Sequence, residues 1–415
     1  MVFVFKLAEE GDGYKEEDDE REAKEFFQTI LRKHENDPKL EVTSCTDEAG
    51  SKIGDNYLSV VIRTTINGKF GNGKSYNKTV VTKHCPHWRP TAKLVRNAEV
   101  FQNEAHVYQN ILPHFKNVAP PCIYASLDEI VMDDLRLEGY VVQPRSNLLD
   151  MEHCTAVVQK LASFHASSLA LKLSNPSLFT ELMAPLQEIL FPQDETPSLG
   201  QSIEMSIDLA VKHLKSLEQT SELVKAIEFL DSQRPAVLET MKALTKPAQD
   251  KYNLMSHGDC WNNNILFKHD ASGRVCDVKL IDFQIVRHVS PAIDFHYFVY
   301  SSAQSPIINS QYDELVQIYY RHFTKILREL RVNDADVQAL SLDWFRNQLK
   351  HHAPYGLFTS AWLVNAVLAE DEDLINMDDL DMEFFQNRQE DMVPIKANKA
   401  HRIKCIVLHY MRTYV

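Results

Sequence analysis

No stretch of this sequence approaches the ~18 uninterrupted apolar residues of a membrane-spanning helix, and no two of its cysteines have CxxC spacing. The first absence leaves no candidate membrane span. The second argues against a zinc ribbon or a thioredoxin-like redox site. The seven cysteines, at 45, 85, 122, 154, 260, 276 and 405, are odd in number and irregular in spacing, as reduced thiols are and a disulfide framework is not. Positive charge is scarce: 44 Lys+Arg face 58 Asp+Glu, a net of −14. That disfavours a nucleic-acid partner, whose grip depends on neutralising phosphates. The opening MVFVFKLAEE has a five-residue apolar run and then turns acidic, too short for a secretory signal core. The expectation is a cytoplasmic protein. Internal repeats and low-complexity tracts are missing too. What remains is a 415-residue chain with 44% apolar residues, too long for one hydrophobic core, so two lobes are expected.

Residues 9–22 (EEGDGYKEEDDERE) are almost wholly polar and read as a mobile lead-in, assigned to 1–21. EAKEFFQTILRKHEN (22–36) spaces Phe26, Phe27, Ile30 and Leu31 as a helix does. LEVTSCT, LSVVIRTTI and NKTVVTKH then read as three antiparallel strands between 40 and 84, with NGKFGNGKS as a hairpin tip. A helix follows at about 93–111, and CIYASLDEIVMDDL (122–135) reads as two further strands. The rest is mostly helix, interrupted between about 254 and 287 by LMSHGDCWNNNILF and by VKLIDFQIV, an apolar strand broken by Asp282 and Gln284. The expected fold class is α+β: a small antiparallel-sheet lobe over 22–136 and a large, mainly helical lobe over 137–415.

SHGDCWNNNIL (256–266) packs a His, an Asp and three Asn into one stretch. Asn competes for backbone hydrogen bonds and suits loops, so this is a loop held for its side chains. His257, Asp259 and Asn264 follow HxDxxxxN, and Asp282 comes eighteen residues later in LIDFQ. Upstream, Lys83 ends a strand and Glu104 lies on the next helix. These residue types suit phosphoryl transfer from ATP with Mg2+. Asp282 would bridge metal to phosphates, and Asn264 would offer a second metal its amide oxygen. Asp259 would take the proton of the attacking hydroxyl, and Lys83, held by Glu104, would neutralise phosphates. There is no GxGxxG. Gly50 and Gly54 lie instead in a turn, GSKIGDNYLS, where Gly54, Asp55, Asn56, Tyr57 and Ser59 are the candidates for phosphate contact. Met132, Asp133 and Leu135 are expected beside the adenine on fold-level analogy. His257 is expected to pack beneath the metal-binding segment, and His165 to be a satisfied core histidine. EDEDLINMDDLDME (370–383) carries eight acids in fourteen residues and reads as a solvated loop.

The order of these pieces resembles the ecdysteroid kinase-like family, relatives of choline kinases and aminoglycoside phosphotransferases. The similar stretches are GDNYLSVVIR, VVTKHCP, FQNEAHVYQNILP, IVMDDL, LASFHASSLA, LMSHGDCWNNNILF, VKLIDFQIVRHVSPAIDFHYFVY and YGLFTSAW. Asp133 stands where the family more often has Glu. The resemblance implies a two-lobed kinase-like fold and ATP-dependent phosphorylation of a small-molecule hydroxyl, the best-known acceptor being a steroid. It also implies that Asp294 braces the catalytic-loop backbone, and that Trp261, Asn262 and Asn263 shape the loop. Only eleven residues separate Asp282 from Asp294 and no APE follows, which leaves no peptide-docking segment and favours a small acceptor over a protein. Ile189, Leu190, Phe191, Phe298, Phe358 and Trp362 are compatible with a sterol-like acceptor, as any core would be. The alternatives are a pseudokinase or ligand-binding module of the same fold, and an interaction protein with a vestigial kinase fold. The residues do not name the acceptor or the oligomeric state.

Overall fold

A computed structural model describes residues 16–50, 59–89, 92, 96–193, 198–247, 250–370 and 395–415. Gly54, Asp55, Asn56 and Tyr57 of the expected phosphate turn, and 371–383 of the acidic stretch, lie outside these.

Five strands form one antiparallel sheet: β1 (Glu41–Ala49), β2 (Val60–Lys69), β3 (Ser75–His84), β4 (Cys122–Ala125) and β5 (Glu129–Asp133), in the order β1-β2-β3-β5-β4. The alternation read from the sequence is physical. Ile62, Thr64 and Ile66 of β2 are buried while their neighbours are only partly covered. Gly73, at φ +84°, closes the β2–β3 hairpin, with Phe70 N–H donating to Lys74 O. Helix α1 (Glu16–His34) packs Phe27, Ile30 and Leu31 against Leu40, Val42, Ile66, Tyr76, Val80 and Val131. It begins within the polar stretch expected to be a lead-in, so 16–21 are helix. Glu and Arg are good helix formers, and pairs such as Glu20–Lys24 at 2.7 Å support a polar first half.

Helix α2 (Asn97–His106) runs on into a π turn (Val107–Ile111). Its Val100, Phe101 and Ala105 join a second, much larger apolar cluster that extends through the helical half of the molecule. That half comprises α3 (Met151–Ser174), α4 (Pro176–Met183), α5 (Ser198–Lys215), α6 (Ser221–Gln233), α7 (Val237–Thr245), α8 (Ala292–Ser302), α9 (Ser305–Ser310), α10 (Tyr312–Glu329), α11 (Asp334–Ala339), α12 (Leu342–Val367) and α13 (Ala397–Tyr414). Two small sheets interrupt it: β6 (Tyr140–Val142) with β8 (Ile265–His269) and β9 (Val275–Leu280), and the ribbon of β7 (Leu254–Ser256) with β10 (Arg287–Val289). The strand expected at 278–286 therefore ends at Leu280. A turn carrying Asp282 at φ +64° separates β9 from β10. The α+β class expected from the sequence is the observed one. None of the helices in the described residues is long and apolar enough to cross a membrane.

Candidate functional site

β3 delivers Lys83 to the site. Paired with Val61 on one side and Ile130 on the other, its side chain points from the sheet toward α2. Its Nζ donates to Glu104 Oε2 at 2.6 Å and to Asp282 Oδ1 at 2.8 Å. Lys83 is 3% exposed and Glu104 fully buried, whereas the Asp282 side chain keeps 20% exposure. Burial works against the Lys83 ammonium, but Asp282 and Glu104 outweigh it and raise its pKa. Burial pushes the Glu104 carboxyl up, opposed by Lys83. Asp282 occupies the left-handed region that a non-glycine residue enters only when its surroundings compel it. Phe283, fully buried, supplies that compulsion by packing edge-on against Tyr108 and Phe164.

The 257–264 loop lies opposite. Gly258, at φ +86°, passes so close to the turn after Asp282 that a Cβ would lie 2.0 Å from Ile285 O. Asp294, on α8, accepts the His257 and Gly258 backbone N–H groups at 2.6 and 2.8 Å, and its Oδ2 lies 2.9 Å from His165 Nε2. His165 Nδ1 in turn meets Tyr319 OH at 2.7 Å. His165 is thus a satisfied core histidine, as read from the sequence. His257 Nε2 reaches Ile281 O at 2.9 Å while Nδ1 accepts the Asp259 N–H, so the ring is a neutral prop beneath the turn that carries Asp282. Burial lowers its pKa accordingly.

Asp259 is held by both carboxylate oxygens. Oδ1 accepts from Tyr297 OH at 2.5 Å; Oδ2 accepts from Asn264 Nδ2 at 3.0 Å and, more loosely, from Gln284 Nε2 at 3.4 Å. Burial pushes this carboxyl up to about 6; the Tyr297 bond opposes that shift and the Asp282 charge adds to it. Asn264 Nδ2 also donates to Asp259 O at 2.9 Å, which leaves Asn264 Oδ1 as its oxygen for a cation. Of the neighbouring amides, Asn262 donates to Gln143 O at 3.0 Å and pins the loop to the chain after β6.

The structure thus brings Lys83, Glu104, Asp282, Asp259 and Asn264 into one region from four separate elements. The adenine-side candidates are less accessible. Asp133 N–H is given to Pro121 O at 3.0 Å, and the Asp133 carboxylate pairs with Lys78 at 2.9 Å. Met132 and Leu135 are buried, as is Ser59 at the head of β2. Of the apolar residues named as acceptor-compatible, Ile189, Leu190, Phe191, Phe298 and Phe358 are buried in the main core, with Trp362 packed on it. A cavity of about 360 Å³ lies elsewhere, walled by Phe179, Met183, Leu186, Glu188, Arg287 and His288.

Sequence reasoning passed over several groups. Asn103, next to Glu104, is fully buried; its Nδ2 donates to Gln187 O at 2.8 Å and Gln284 O at 3.1 Å, and its Oδ1 accepts Gln187 N–H at 2.9 Å. It ties α2 to the 184–193 segment and to the turn after Asp282. Glu188 and Arg287 form a two-pronged ion pair at 2.6 and 2.8 Å across the same seam. Tyr297 carried one signal: it stands one helical turn beyond Asp294 in SPAIDFHYF.

Comparison with known proteins places the chain. Residues 53–332, two thirds of its length, match the ecdysteroid kinase-like family, and the chain belongs to that family. No curated protein matches it in sequence. Among solved structures it is similar to a candidate aminoglycoside phosphotransferase from Ralstonia eutropha, at 13% identity and a TM-score of 0.41 over 94% of this chain and 97% of that one. It is also similar to APH(2″)-IIa in its ternary complex with streptomycin and ATP, at 11% identity and a TM-score of 0.33 over 84% of this chain and 97% of that one.

Proposed function

We propose, with membership of the ecdysteroid kinase-like family as the premise, that this protein transfers the γ-phosphate of ATP to a hydroxyl of a small molecule. The observation that carries the reading is the buried Lys83, shared between Glu104 at 2.6 Å and Asp282 at 2.8 Å. A lysine braced by one carboxylate and aimed beside a second, partly open one is the kinase arrangement for gripping nucleotide phosphates. A structural ion pair would gain nothing from a strained, half-open Asp282.

Asp282 and Asn264 Oδ1 would hold Mg2+. They are hard oxygen donors, and one carboxylate and one amide suffice for an ion that completes its shell with phosphate oxygens and water. When bound, the ion supplies positive charge at the phosphates. Lys83 would add positive charge at the phosphates, and Glu104 holds it in place. Asp259 receives the acceptor's O–H. At neutral pH its carboxyl, near 6, is largely ionised and takes the proton as the acceptor oxygen bonds to phosphorus and the bond to ADP breaks. The acceptor is a small-molecule alcohol, with ecdysteroids and related sterols, for which the family is named, the first to try.

The test is transfer of labelled γ-phosphate from Mg·ATP to a panel of hydroxylated small molecules, ecdysteroids included. Asp259→Asn is expected to keep Mg·ATP binding and lose most of the transfer. Asp282→Asn is expected to lose metal-dependent nucleotide binding as well. Full transfer by either variant refutes the assignment; binding without any transfer by the wild type would make the protein a ligand-binding relative.

A further inference from the structure

Helix α8 does two jobs on the 257–264 loop from one face. Asp294 and Tyr297 are three residues apart, so both side chains leave the helix on the same side. Asp294 takes the backbone N–H groups of His257 and Gly258 at 2.6 and 2.8 Å. One turn on, the Tyr297 hydroxyl donates to Asp259 Oδ1 at 2.5 Å. The helix therefore fixes the loop's backbone just before Asp259 and then the Asp259 side chain itself.

We propose that Tyr297 is a positioning residue for phosphoryl transfer: its hydroxyl fixes the Asp259 carboxylate in the orientation that receives the acceptor's proton. The proposal rests on the phosphotransfer reading above and adds to it a residue that no motif supplied.

A carboxylate on a two-bond stem turns freely unless each oxygen is held. Here the two oxygens are held from different elements. Oδ2 is held by Asn264 and Gln284, on the loop and on the turn after β9. The bond to Oδ1 comes from α8. An ionised carboxylate has about four lone-pair positions, so Oδ1 retains one for a hydroxyl after Tyr297 is bound. The O–H to carboxylate geometry is of the short, charge-assisted class, the strongest a neutral side chain makes.

Tyr297 is built to remain a donor. It is 2% exposed. Burial and the adjacent Asp259 charge hold its phenol pKa well above the ordinary value, so it does not compete as a base. Its ring lies 6.3 Å, centroid to centroid, from that of Tyr355. Tyr355 OH accepts from Arg287 Nη1 at 3.0 Å, and Arg287 is locked by Glu188. The phenol is thus braced from behind by a fixed ring and cannot swing away from Asp259. A buried tyrosine with a structural duty alone could have satisfied its hydroxyl on a backbone carbonyl, as many do; this one donates to Asp259.

The experiment compares wild type, Tyr297→Phe, Tyr300→Phe and Asp259→Asn. Tyr300 is on the same helix, but its hydroxyl lies 2.9 Å from His409 Nδ1, away from the loop. Label released from γ-32P ATP with Mg2+ to water, and label transferred to the hydroxyl panel, give kcat and KM for ATP. Thermal unfolding checks each fold. Tyr297→Phe is expected to lower kcat roughly ten- to a hundredfold, the scale of a misplaced reacting group, with KM for ATP and the unfolding midpoint unchanged. Tyr300→Phe keeps the wild-type kcat. A wild-type kcat in Tyr297→Phe overturns the proposal and leaves the phosphotransfer reading standing. A matching rise in KM with a lowered midpoint also overturns it, because that is the signature of a merely structural tyrosine. Equal label release by wild type and Asp259→Asn, or none by the wild type, overturns the phosphotransfer reading and the proposal with it.

Discussion

Replacing Lys83 with Met leaves Glu104 fully buried with its partner gone. A carboxylate in that position has one escape, which is to take up a proton. Starting from an ordinary pKa of 4.5, protonation at pH 7 costs 2.5 pH units at about 1.4 kcal/mol each, or about 3.4 kcal/mol. That is the ceiling on the loss due to Glu104, and it falls within the ~3–5 kcal/mol usual for breaking a buried pair. The ceiling drops by about 1.4 kcal/mol for each unit of acid. The sign follows from linkage: burial already raises the wild type's folded Glu104 to about 7 with Lys83 opposing the shift, so removing Lys83 raises it further, and the variant gains on the wild type as pH falls toward 7. Asp282 adds little, because its side chain is partly open to water. Urea unfolding at pH 8.5 and pH 7 reads the effect, and the expected gap is larger at pH 8.5 than at pH 7. Adding Glu104→Gln to the Lys83→Met background should recover stability at pH 8.5, since no buried charge remains. A gap that does not narrow between pH 8.5 and pH 7 would refute the burial of this pair.

Glu188→Gln strands Arg287, which is 4% exposed in its side chain. A guanidinium cannot shed its proton, so the loss of about 3–5 kcal/mol should be as large at pH 5.5 as at pH 7 by the same urea titration. Gly258→Ala must place a Cβ 2.0 Å from Ile285 O at φ +86°, and should yield either insoluble chain or a fold weakened by more than ~3 kcal/mol, read from soluble yield and unfolding midpoint. His409, 9% exposed, has its pKa lowered by burial to about 4 from 6.5. The unfolded chain binds the extra proton between those values, so stability is full above pH 6.5 and falls toward pH 4, by at most about 3 kcal/mol; His409→Gln should flatten that limb, and an unchanged slope would refute it.

The strands and the main site residues were legible because their signals are local. β2 alternates buried and covered residues, and its register with β3 brings Lys83 to the sheet's end. Asp259, Asn264 and Asp282 sit within one stretch of chain. Tyr297 was harder to see because all eleven residues of α8 are buried, so no periodicity marks the side that faces the loop. Asn103 sits one residue before Glu104, but its partners are 84 and 181 residues away. Residues 16–21 were read as lead-in and are helix, because charge density resembles a solvated tail until the helix-forming residues are weighed. Met132, Asp133 and Leu135 were placed beside the adenine by fold-level analogy, because no local signal marks such a contact.

The membership of α2 in the large apolar cluster bears on motion. By chain order α2 lies between β3 and β4, inside the sheet lobe. By packing, its Val100, Phe101 and Ala105 are sealed into the same cluster as α3 and α8, which also takes in Ala125, Ile130 and Met132 from one face of β4 and β5, and Asn103 bolts it to the 184–193 segment, while α1 and the other face of the sheet hold a separate small cluster. The thinner attachment is therefore that of α1 to its own face of the sheet, since the opposite face shares the main cluster with α2. The amides of α2 would exchange hydrogen as slowly as those of α3, and those of β1 and α1 sooner.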